Sequence, residues 1–356
     1  MNIILATGIY PPDIGGPATY VCALADELTK KGNEVRVVTY GDEGGVKVGK
    51  CEGVNVVYVS KSGGPILRWW RYAKALRTHA ADADVIIAFS SVSVGVPLAL
   101  ARLQNSKKIL RLGGDFFWER YTDRGGMKGL REWYASHPLS LLFMGWLLQT
   151  FDHVVYSTEF QKKIHESVYP ILPSRSVILN AMPIGMQVEH KPHQPFSLLF
   201  MGRFVGFKNL PALVQAVRTL SMQTKIKLTL VGDGPLKSSL QKLHLEGVVE
   251  ICSPVYGEDK RKCFAEHDLL VLPSLTEISP NVALEAHALC LPVLLSKETG
   301  LDPGMRFTYQ RSLKTSEEIS AAILERIEQY ESPQYDTAVR DYNMLALEWI
   351  SLLKSL

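Results

Sequence analysis

Short apolar runs alternate with helical patterns along almost the whole chain. Runs rich in Val, Ile and Leu, such as NIILATG, EVRVVTY and DVIIAFS, are separated by stretches whose apolar residues recur every three or four positions. Strands that are apolar on both faces and separated by helices are typical of parallel sheets. The pattern stops over residues 183–195, which contain three prolines and no apolar period, and it restarts with SLLFMGRF and KLTLVGDG.

This pattern predicts an α/β protein with two doubly wound, Rossmann-like domains. We place the first domain at residues 1–182, a linker at 183–195 and the second domain at 196–335. Residues 336–356 are helical in composition and are predicted to form a C-terminal helix. A length of 356 residues also fits two domains, because a domain commonly has about 100–200 residues.

Composition and charge exclude several classes of protein. With 46% hydrophobic and 21% charged residues, the chain has the composition of a soluble globular protein and not of a disordered one. Its net charge of +3 is too small to indicate nucleic-acid binding. The five cysteines are odd in number and lack the C-x-x-C spacing of zinc sites, which favours reduced thiols in a cytoplasmic protein.

The loop after the first strand is the first candidate site, because doubly wound sheets bind ligands where their strands end. Gly15 and Gly16 precede a predicted helix, so the backbone and the helix N-terminus can approach a phosphate group. A tight turn without a ligand explains the same residues equally well. The stretch lacks the G-x-G-x-x-G pattern, which makes an NAD site less favoured.

The loop after the first strand of the second domain is a candidate diphosphate site. Gly202, Arg203 and Lys208 lie in GRFVGFKN, a glycine-containing loop that leads into a helix. An arginine offers paired donors and a lysine offers a point charge, and both suit phosphate oxygens. Solvated surface cations are the alternative interpretation.

A third loop, EISPNVALE, combines two carboxylates with a helix start. Ser279 is predicted as the N-cap and Pro280 as the first helical residue. Glu285 would then lie within an apolar helical stretch, where a carboxylate needs partners such as the hydroxyls of a ribose or a sugar. A partly exposed helical glutamate is the alternative. Glu277 follows a strand directly and would lie at the same edge of the sheet.

A fourth loop, LGGDFFWER in the first domain, combines acidic and aromatic residues. Asp115, Trp118 and Glu119 would suit a sugar, because aromatic faces stack on its C–H surfaces and carboxylates accept hydrogen bonds from its hydroxyls. A packed aromatic lid is the alternative.

Together these motifs resemble the retaining glycosyltransferases of the GT-B fold, specifically family 4. The most specific part is the E-x7-E pattern from Glu277 to Glu285, and GRFVGFKN, LVGDGP and PPDIGGPATYV resemble three other family motifs in the same order. The resemblance covers nearly the whole chain. It implies two Rossmann-like domains that face a cleft, with the C-terminal helix crossing back to the first domain.

The resemblance also implies roles for the matched residues. Arg203 and Lys208 would hold the donor diphosphate, and Glu277 would bind the transferred sugar, so these three are the catalytic candidates. The implied donor-binding residues are Gly15, Gly16, Gly202, Pro254, Val255, Tyr256, Ser279, Pro280, Asn281, Val282 and Glu285. The acceptor-side candidates are Asp115, Trp118 and Glu119. No cofactor is expected, because the nucleotide sugar is itself the substrate, and the resemblance implies a reaction that needs no metal ion.

The expected reaction is transfer of a sugar from a UDP- or GDP-sugar to a hydroxyl of a glycan or a lipid-linked saccharide, with retention of configuration. Two positions depart from the family pattern. Ile278 stands where the family commonly has glycine, and Gly113, Gly114 and Asp115 occupy a loop that carries a histidine in many members. No catalytic histidine is therefore carried over. A nucleotide-sugar epimerase of the same fold and a non-catalytic nucleotide-sugar-binding module stay open as alternatives.

The stretch over residues 65–79, PILRWWRYAKALRTH, bears on the acceptor. Ile66, Trp69 and Trp70 lie near helical spacing, with cations beside them. Such a helix can lie on an anionic surface such as the inner face of a membrane, which would suit a lipid-linked acceptor. Alternatively, its apolar face packs on the sheet and its cations lie in water. Both interpretations are open.

Overall fold

The computed structural model of the protein describes residues 1–13, 15–42, 46–51, 53–136, 138–181, 192–243, 245–331 and 340–356. Most of the predicted linker and residues 336–339 of the predicted C-terminal segment lie outside the described residues. Contacts divide the chain into two compact units. The first unit comprises Met1–Phe116, Tyr134–Ala181 and Arg340–Leu356, and the second comprises Phe117–Trp133 and Met182–Val339.

The boundaries of these units differ from those of the predicted domains. The hydrophobic pattern assigns Phe117–Trp133 to the first domain, but this segment groups with the second unit. The reason is local packing, since the indole of Trp118 lies against the ring of Phe207 with centroids 5.1 Å apart. A periodicity pattern carries no information about such a contact between distant parts of the chain.

The sheet of the first unit has eight described strands. They are β1 Asn2–Ala6, β2 Glu34–Gly41, β3 Val46–Cys51, β4 Val54–Ser60, β5 Val85–Ala88, β6 Lys107–Leu112, β7 His153–Tyr156 and β8 Ser174–Val177. Their order is β3-β4-β2-β1-β5-β6-β7-β8, and all neighbours are parallel except β3 and β4. The hydrophobic pattern misses β3, an edge strand that pairs on one side only.

The helices between these strands follow in chain order. They are α1 Gly16–Lys30, α2 Pro65–His79, α3 Val96–Ala101, α4 Phe116–Asp123, α5 Leu130–Tyr134, α6 Pro138–Leu148 and α7 Glu159–Val168. Most of α4 and α5 lies in the segment Phe117–Trp133, which groups with the second unit. A single π-helical turn, Ser91–Gly95, leads into α3.

The second unit has a fully parallel sheet of six described strands. They are β9 Phe196–Met201, β10 Ile226–Val231, β11 Val249–Cys252, β12 Leu269–Leu272, β13 Val293–Ser296 and β14 Thr308–Arg311, in the order β11-β10-β9-β12-β13-β14. Its helices are α8 Leu210–Leu220, α9 Lys237–Lys242, α10 Gly257–Ala265, α11 Asn281–Ala288 and α12 Ser316–Glu328. The sequence pattern does not predict β14, because TYQR has no apolar run.

The last helix, α13 Tyr342–Ser355, packs against α1 within the first unit. Trp349 is fully buried there, and its indole Nε1 donates a hydrogen bond to the hydroxyl of Tyr20 at 3.0 Å. Asp341 caps the helix by accepting a hydrogen bond from the amide of Met344 at 2.7 Å. Burial of a whole tryptophan fixes this helix firmly to the unit.

Candidate active site

The carboxyl ends of β9 and β12 form the topological switch point of the second unit. These strands are neighbours, and the chain leaves them in opposite directions, towards β10 from β9 and towards β13 from β12. Ligands of doubly wound sheets bind at such a point. The loop after β9 carries Arg203 and Lys208, and the loop after β12 carries Glu277, so the topology brings the candidate catalytic residues to one edge.

Close backbone packing shapes the loop after β9. Phe204 is fully buried, and its amide donates a hydrogen bond to the carbonyl of Asp233 at 2.8 Å. In the loop after β10, a Cβ atom on Gly232 would lie only 1.9 Å from the carbonyl oxygen of Gly202. The glycines of LVGDGP, Gly232 and Gly234, are therefore needed for the close approach of the two loops. A 3₁₀ turn, Gly206–Lys208, follows and ends the loop.

Lys208 and Glu277 form an ion pair in this site. The ammonium of Lys208 contacts Oε1 of the Glu277 carboxylate, and their side chains are only 13% and 7% exposed. The hydroxyl of Ser274 donates a hydrogen bond to the same Oε1 at 2.5 Å. Within the described part of the chain, Oε2 of Glu277 receives no hydrogen bond. One carboxylate oxygen is thus occupied, and the other is left for a ligand.

The backbone of Glu277 is held from both sides. Its amide donates to the carbonyl of Glu298 at 2.9 Å, and its carbonyl accepts from the amide of Gly300 at 2.8 Å. Glu277 also forms an isolated parallel bridge with Thr299. These bonds tie the loop after β12 to the loop after β13, so the carboxylate is fixed in place without a ligand.

The segment Phe117–Trp133 packs on this same part of the second unit. The amide of Leu130 donates a hydrogen bond to the hydroxyl of Thr276 at 2.9 Å. The carbonyl oxygen of Thr122 lies so close to Gly206 that a Cβ atom there would be 2.4 Å away from it. A segment that sequence analysis assigned elsewhere therefore braces both loops that carry the candidate catalytic residues.

Arg203 and Glu285 differ in their surroundings. Arg203 is exposed, and it makes no ion pair or hydrogen bond with any residue that the structure describes. Glu285 lies on α11 and forms an ion pair with Lys260 of α10. The partly exposed carboxylate thus has a cation as its partner. Sequence analysis did not single out Lys260, because the helix GEDKRKCFA is charged along most of its length.

The remaining donor-binding candidates of the second unit lie at two helix starts. Helix α11 begins at Asn281 with Pro280 as its N-cap, so the prediction of Ser279 as N-cap is wrong by one residue. Val282 lies in the first turn of the helix. Residues 254–256 form a largely exposed loop before α10, and the last of them is the N-cap of that helix. The first turn of α11 has no acidic side chain, so backbone amides at its start can bind an anion, whereas Glu258 and Asp259 occupy the first turn of α10.

In the first unit, the glycine pair lies at the start of α1. Gly15 is the N-cap, Gly16 is the first residue of the helix, and Pro17 follows. No acidic side chain occupies the first turn, so the positive end of the helix is not neutralised locally. A Cβ atom on Gly15 would lie 3.0 Å from the side chain of Ile9, which makes the position tight.

The structure separates the acceptor-side candidates. Asp115 belongs to the first unit, where it is buried and accepts a hydrogen bond from the hydroxyl of Tyr134. Trp118 and Glu119 belong to the second unit, as part of α4. Trp118 is 2% exposed, and its indole donates to the carbonyl of Lys128 at 3.0 Å. Asp115 and Trp118 therefore have packing partners and do not form an open aromatic-acidic loop.

A buried histidine lies beneath Asp115. Nε2 of His165 is 3.1 Å from the hydroxyl of Tyr134, and Nδ1 is 3.2 Å from the hydroxyl of Tyr156. Burial lowers the pKa of His165 to about 3 and raises the pKa of Tyr134 well above its usual value. The imidazole is therefore neutral at physiological pH and serves as a fixed hydrogen-bonding group.

Comparison with models of protein families assigns the chain to a family. The model described as "Glycosyl transferase 4-like domain" matches residues 15–171, and the model described as "Glycosyl transferases group 1" matches residues 195–329. The chain is a group 1 glycosyltransferase. The enzyme activity is accordingly a glycosyl transfer, and the predicted family is confirmed.

Two relatives of this glycosyltransferase match over most of their length. The uncharacterized glycosyltransferase MJ1607 of Methanocaldococcus jannaschii is 27% identical over 85% of this chain and 82% of its own. The O-antigen biosynthesis glycosyltransferase WbnH of Escherichia coli is 26% identical over 81% of this chain and 79% of its own.

Solved structures show that this glycosyltransferase has the GT-B fold. Sucrose-phosphate synthase from Thermosynechococcus elongatus superposes with a TM-score of 0.79, 17% identity and coverage of 99% of this chain and 98% of that one. Anabaena Alr3699/HepE in complex with UDP and glucose gives a TM-score of 0.75 at 16% identity, with full coverage of both chains. The predicted fold class is confirmed.

Proposed function

We propose that this glycosyltransferase moves a hexose from a UDP- or GDP-sugar to a hydroxyl of a glycan or a lipid-linked saccharide in the cytoplasm, with retention of configuration. The observation that carries the proposal is the Lys208–Glu277 pair at the switch point of the second unit. The complex of Anabaena Alr3699/HepE with UDP and glucose, and the O-antigen role named for WbnH, support a nucleotide-sugar donor and a glycan acceptor.

The two cations of the site suit the leaving group. As the bond between the sugar C1 and the diphosphate oxygen breaks, negative charge grows on that oxygen. Lys208 and Arg203, at the end of β9, can stabilise this charge. The acceptor hydroxyl attacks C1 from the face that the diphosphate leaves, and its proton passes to the departing phosphate oxygen. The products are the glycoside and the nucleoside diphosphate.

Glu277 has the geometry to bind the transferred sugar. Lys208 and Ser274 both contact Oε1, so Oε2 can accept a hydrogen bond from a sugar hydroxyl. The backbone bonds that hold Glu277 fix where that hydroxyl must lie. Preorganisation of this kind lowers the entropic cost of placing C1 against the acceptor.

Glu285 is the candidate for the ribose hydroxyls of the donor. Its carboxylate is partly exposed, and the ion pair with Lys260 fixes its orientation on α11. Lys260 acts as a positioning residue in this account. The exposed loop of residues 254–256, next to α10, would then face the base.

An assay with candidate donors, first without an acceptor and then with an alcohol as acceptor, separates transfer from the two alternatives. Purified protein is incubated with UDP-glucose, UDP-N-acetylglucosamine or GDP-mannose, with and without EDTA, and the products are resolved by NMR. We expect slow release of nucleoside diphosphate from one donor, unchanged by EDTA, and a sugar of retained configuration with an alcohol as acceptor. An epimerised sugar would identify an epimerase, and saturable binding with no turnover would identify a binding module.

A further inference from the structure

Helix α6 of the first unit is apolar on two opposite faces. Met144, Leu147 and Leu148 point into the unit and are buried. The opposite face is a stripe of four large apolar side chains. The second, third and fourth follow Leu139 by three, four and seven residues, which places all four on one side of the helix. Their exposed fractions are 81% at Leu139, 71% at Leu142, 36% at Phe143 and 53% at Trp146. The helix contains no charged residue. An all-apolar helix with such exposed side chains presents apolar surface to the surroundings of the unit.

Helix α2 carries a second exposed apolar surface. Its second half packs on the sheet, with Tyr72 and Leu76 fully buried. In its first turns, Ile66 is 80% exposed and Trp70 is 58% exposed, and they line an apolar surface depression with Leu67. The prediction that the apolar face packs on the sheet thus holds for the second half of the helix only.

Helix α2 is also strongly basic. It contains no acidic residue, and its four cations are Arg68, Arg71, Lys74 and Arg77. None of them forms an ion pair with a residue that the structure describes. The ammonium of Lys74 lies 5.6 Å from the ring of Trp70, so positive charge stands directly beside the exposed indole.

The two helices lie on one face of the sheet. The connections from β4 to β5, β5 to β6 and β6 to β7 all step in the same direction across the sheet, so right-handed crossovers place α2, α3 and α6 on the same side. Two contacts agree with this. Arg77 donates hydrogen bonds to the carbonyls of Ala101 and Leu100 at the end of α3. A Cβ atom on Gly95, just before α3, would lie 3.3 Å from the ring of Phe151, just after α6.

We propose that the exposed faces of α2 and α6 dock the first unit on an anionic lipid bilayer surface. Exposed leucines would enter the acyl boundary, tryptophans would lie at headgroup level, and the cations of α2 would contact lipid phosphates. Charge complementarity selects this occupant, because the four cations of α2 form no ion pair with a described residue and α6 offers no charge at all. Arg71 and Arg77 also donate hydrogen bonds within the unit, and Lys74 is exposed. No helix among the described residues has the length and apolar character to cross a membrane, so the contact is interfacial.

Sedimentation with vesicles tests the proposal. Full-length protein is mixed with vesicles of phosphatidylcholine alone, or of phosphatidylcholine with phosphatidylglycerol as the minor component. We expect co-sedimentation with the anionic vesicles and much less with the neutral ones. The double variant Leu142→Ser, Trp146→Ser should bind about tenfold more weakly or worse, because two large apolar side chains are lost. Lys74→Gln should lower binding to anionic vesicles about fivefold.

The matched control is Met222→Ser, which removes a side chain of similar exposure, 79%, from the second unit. It should bind as the wild type does. Wild-type protein that stays in the supernatant with both vesicles would overturn the proposal, as would equal weakening by the control. Concentration-dependent dimers without lipid, abolished by the double variant, would show instead that the stripe pairs two copies of the chain. All of these readouts are independent of catalytic activity.

Discussion

The ammonium of Lys208 contacts the carboxylate of Glu277 although 69 residues separate them in the sequence. The contact exists because β9 and β12 are neighbours whose carboxyl ends form the switch point of the second sheet. Each residue follows its strand within a short loop, and backbone bonds hold both loops. The pair therefore joins the two motifs that the sequence shows separately, and it sets the position of both charges.

Ser274 is expected to act as a positioning residue for Glu277. Ser274→Ala removes the 2.5 Å hydrogen bond to Oε1, and hydrogen bonds to charged groups contribute about 1.5–3 kcal/mol. We expect kcat to fall about tenfold or more while affinity for the nucleoside diphosphate stays unchanged, as measured by steady-state kinetics and calorimetry. Ser197→Ala is the matched control, because Ser197 is equally buried and its hydroxyl has no hydrogen-bond partner among the described residues. Equal kinetics in the two variants would show that Ser274 does not position Glu277 for catalysis.

Gly206→Ala tests whether packing of the segment Phe117–Trp133 supports the turn before Lys208. The new Cβ atom would lie 2.4 Å from the carbonyl oxygen of Thr122, so the segment or the turn before Lys208 must move. Overpacking of this kind costs about 1–3 kcal/mol. We expect a lower Tm and about tenfold lower turnover. Gly64→Ala is the control, since a Cβ atom there meets nothing within 4 Å. Wild-type Tm and turnover in Gly206→Ala would show that the brace is unimportant.

The stability of the first unit should depend on pH through His165. Its pKa is about 3 when folded and about 6.5 in the unfolded chain, so between these values only the unfolded chain binds the proton. The stabilisation is complete above about pH 6.5 and is lost progressively as the pH falls towards 3. We compare His165→Gln with the wild type by denaturant unfolding at several pH values. As the pH falls from about 6.5 towards 3, the free energy of unfolding of the wild type should decrease by about 1.4 kcal/mol per pH unit more than that of the variant. If the free energy of unfolding changed with pH in the same way in both proteins, His165 would not be the source of the pH dependence.

The sequence predicts the parts of the fold and site that depend on local pattern. Apolar runs at strand spacing locate most strands, and the loops after β9 and β12 carry Arg203, Lys208 and Glu277 as predicted from their position behind strands. The helix start near Ser279 is predicted within one residue, because Ser and Pro are both common there. β3 is missed, since an edge strand needs only a weak apolar pattern.

Contacts between distant segments could not be predicted from the sequence. Lys260 is one of many charged residues on α10, and only the folded second unit brings it to Glu285. The aromatic residues of α4 suggest an open sugar-binding loop, but Trp118 packs against Phe207 and is buried. Ser274 is one hydroxyl in PSLTE, and its role depends on a hydrogen bond that no local pattern reveals.

The turnover of Lys208→Ala and Arg203→Ala with the preferred donor tests the central claim most directly. Both variants remove a positive charge from the candidate diphosphate site, and loss of one preorganised donor commonly lowers kcat by about 10²–10³-fold. Lys225→Ala is the control, because Lys225 is an exposed cation at the opposite, amino end of β10. We expect a loss of about 10²-fold or more in both variants and none in the control. Near-normal kinetics in both variants would contradict the assignment of the donor site to the loop after β9.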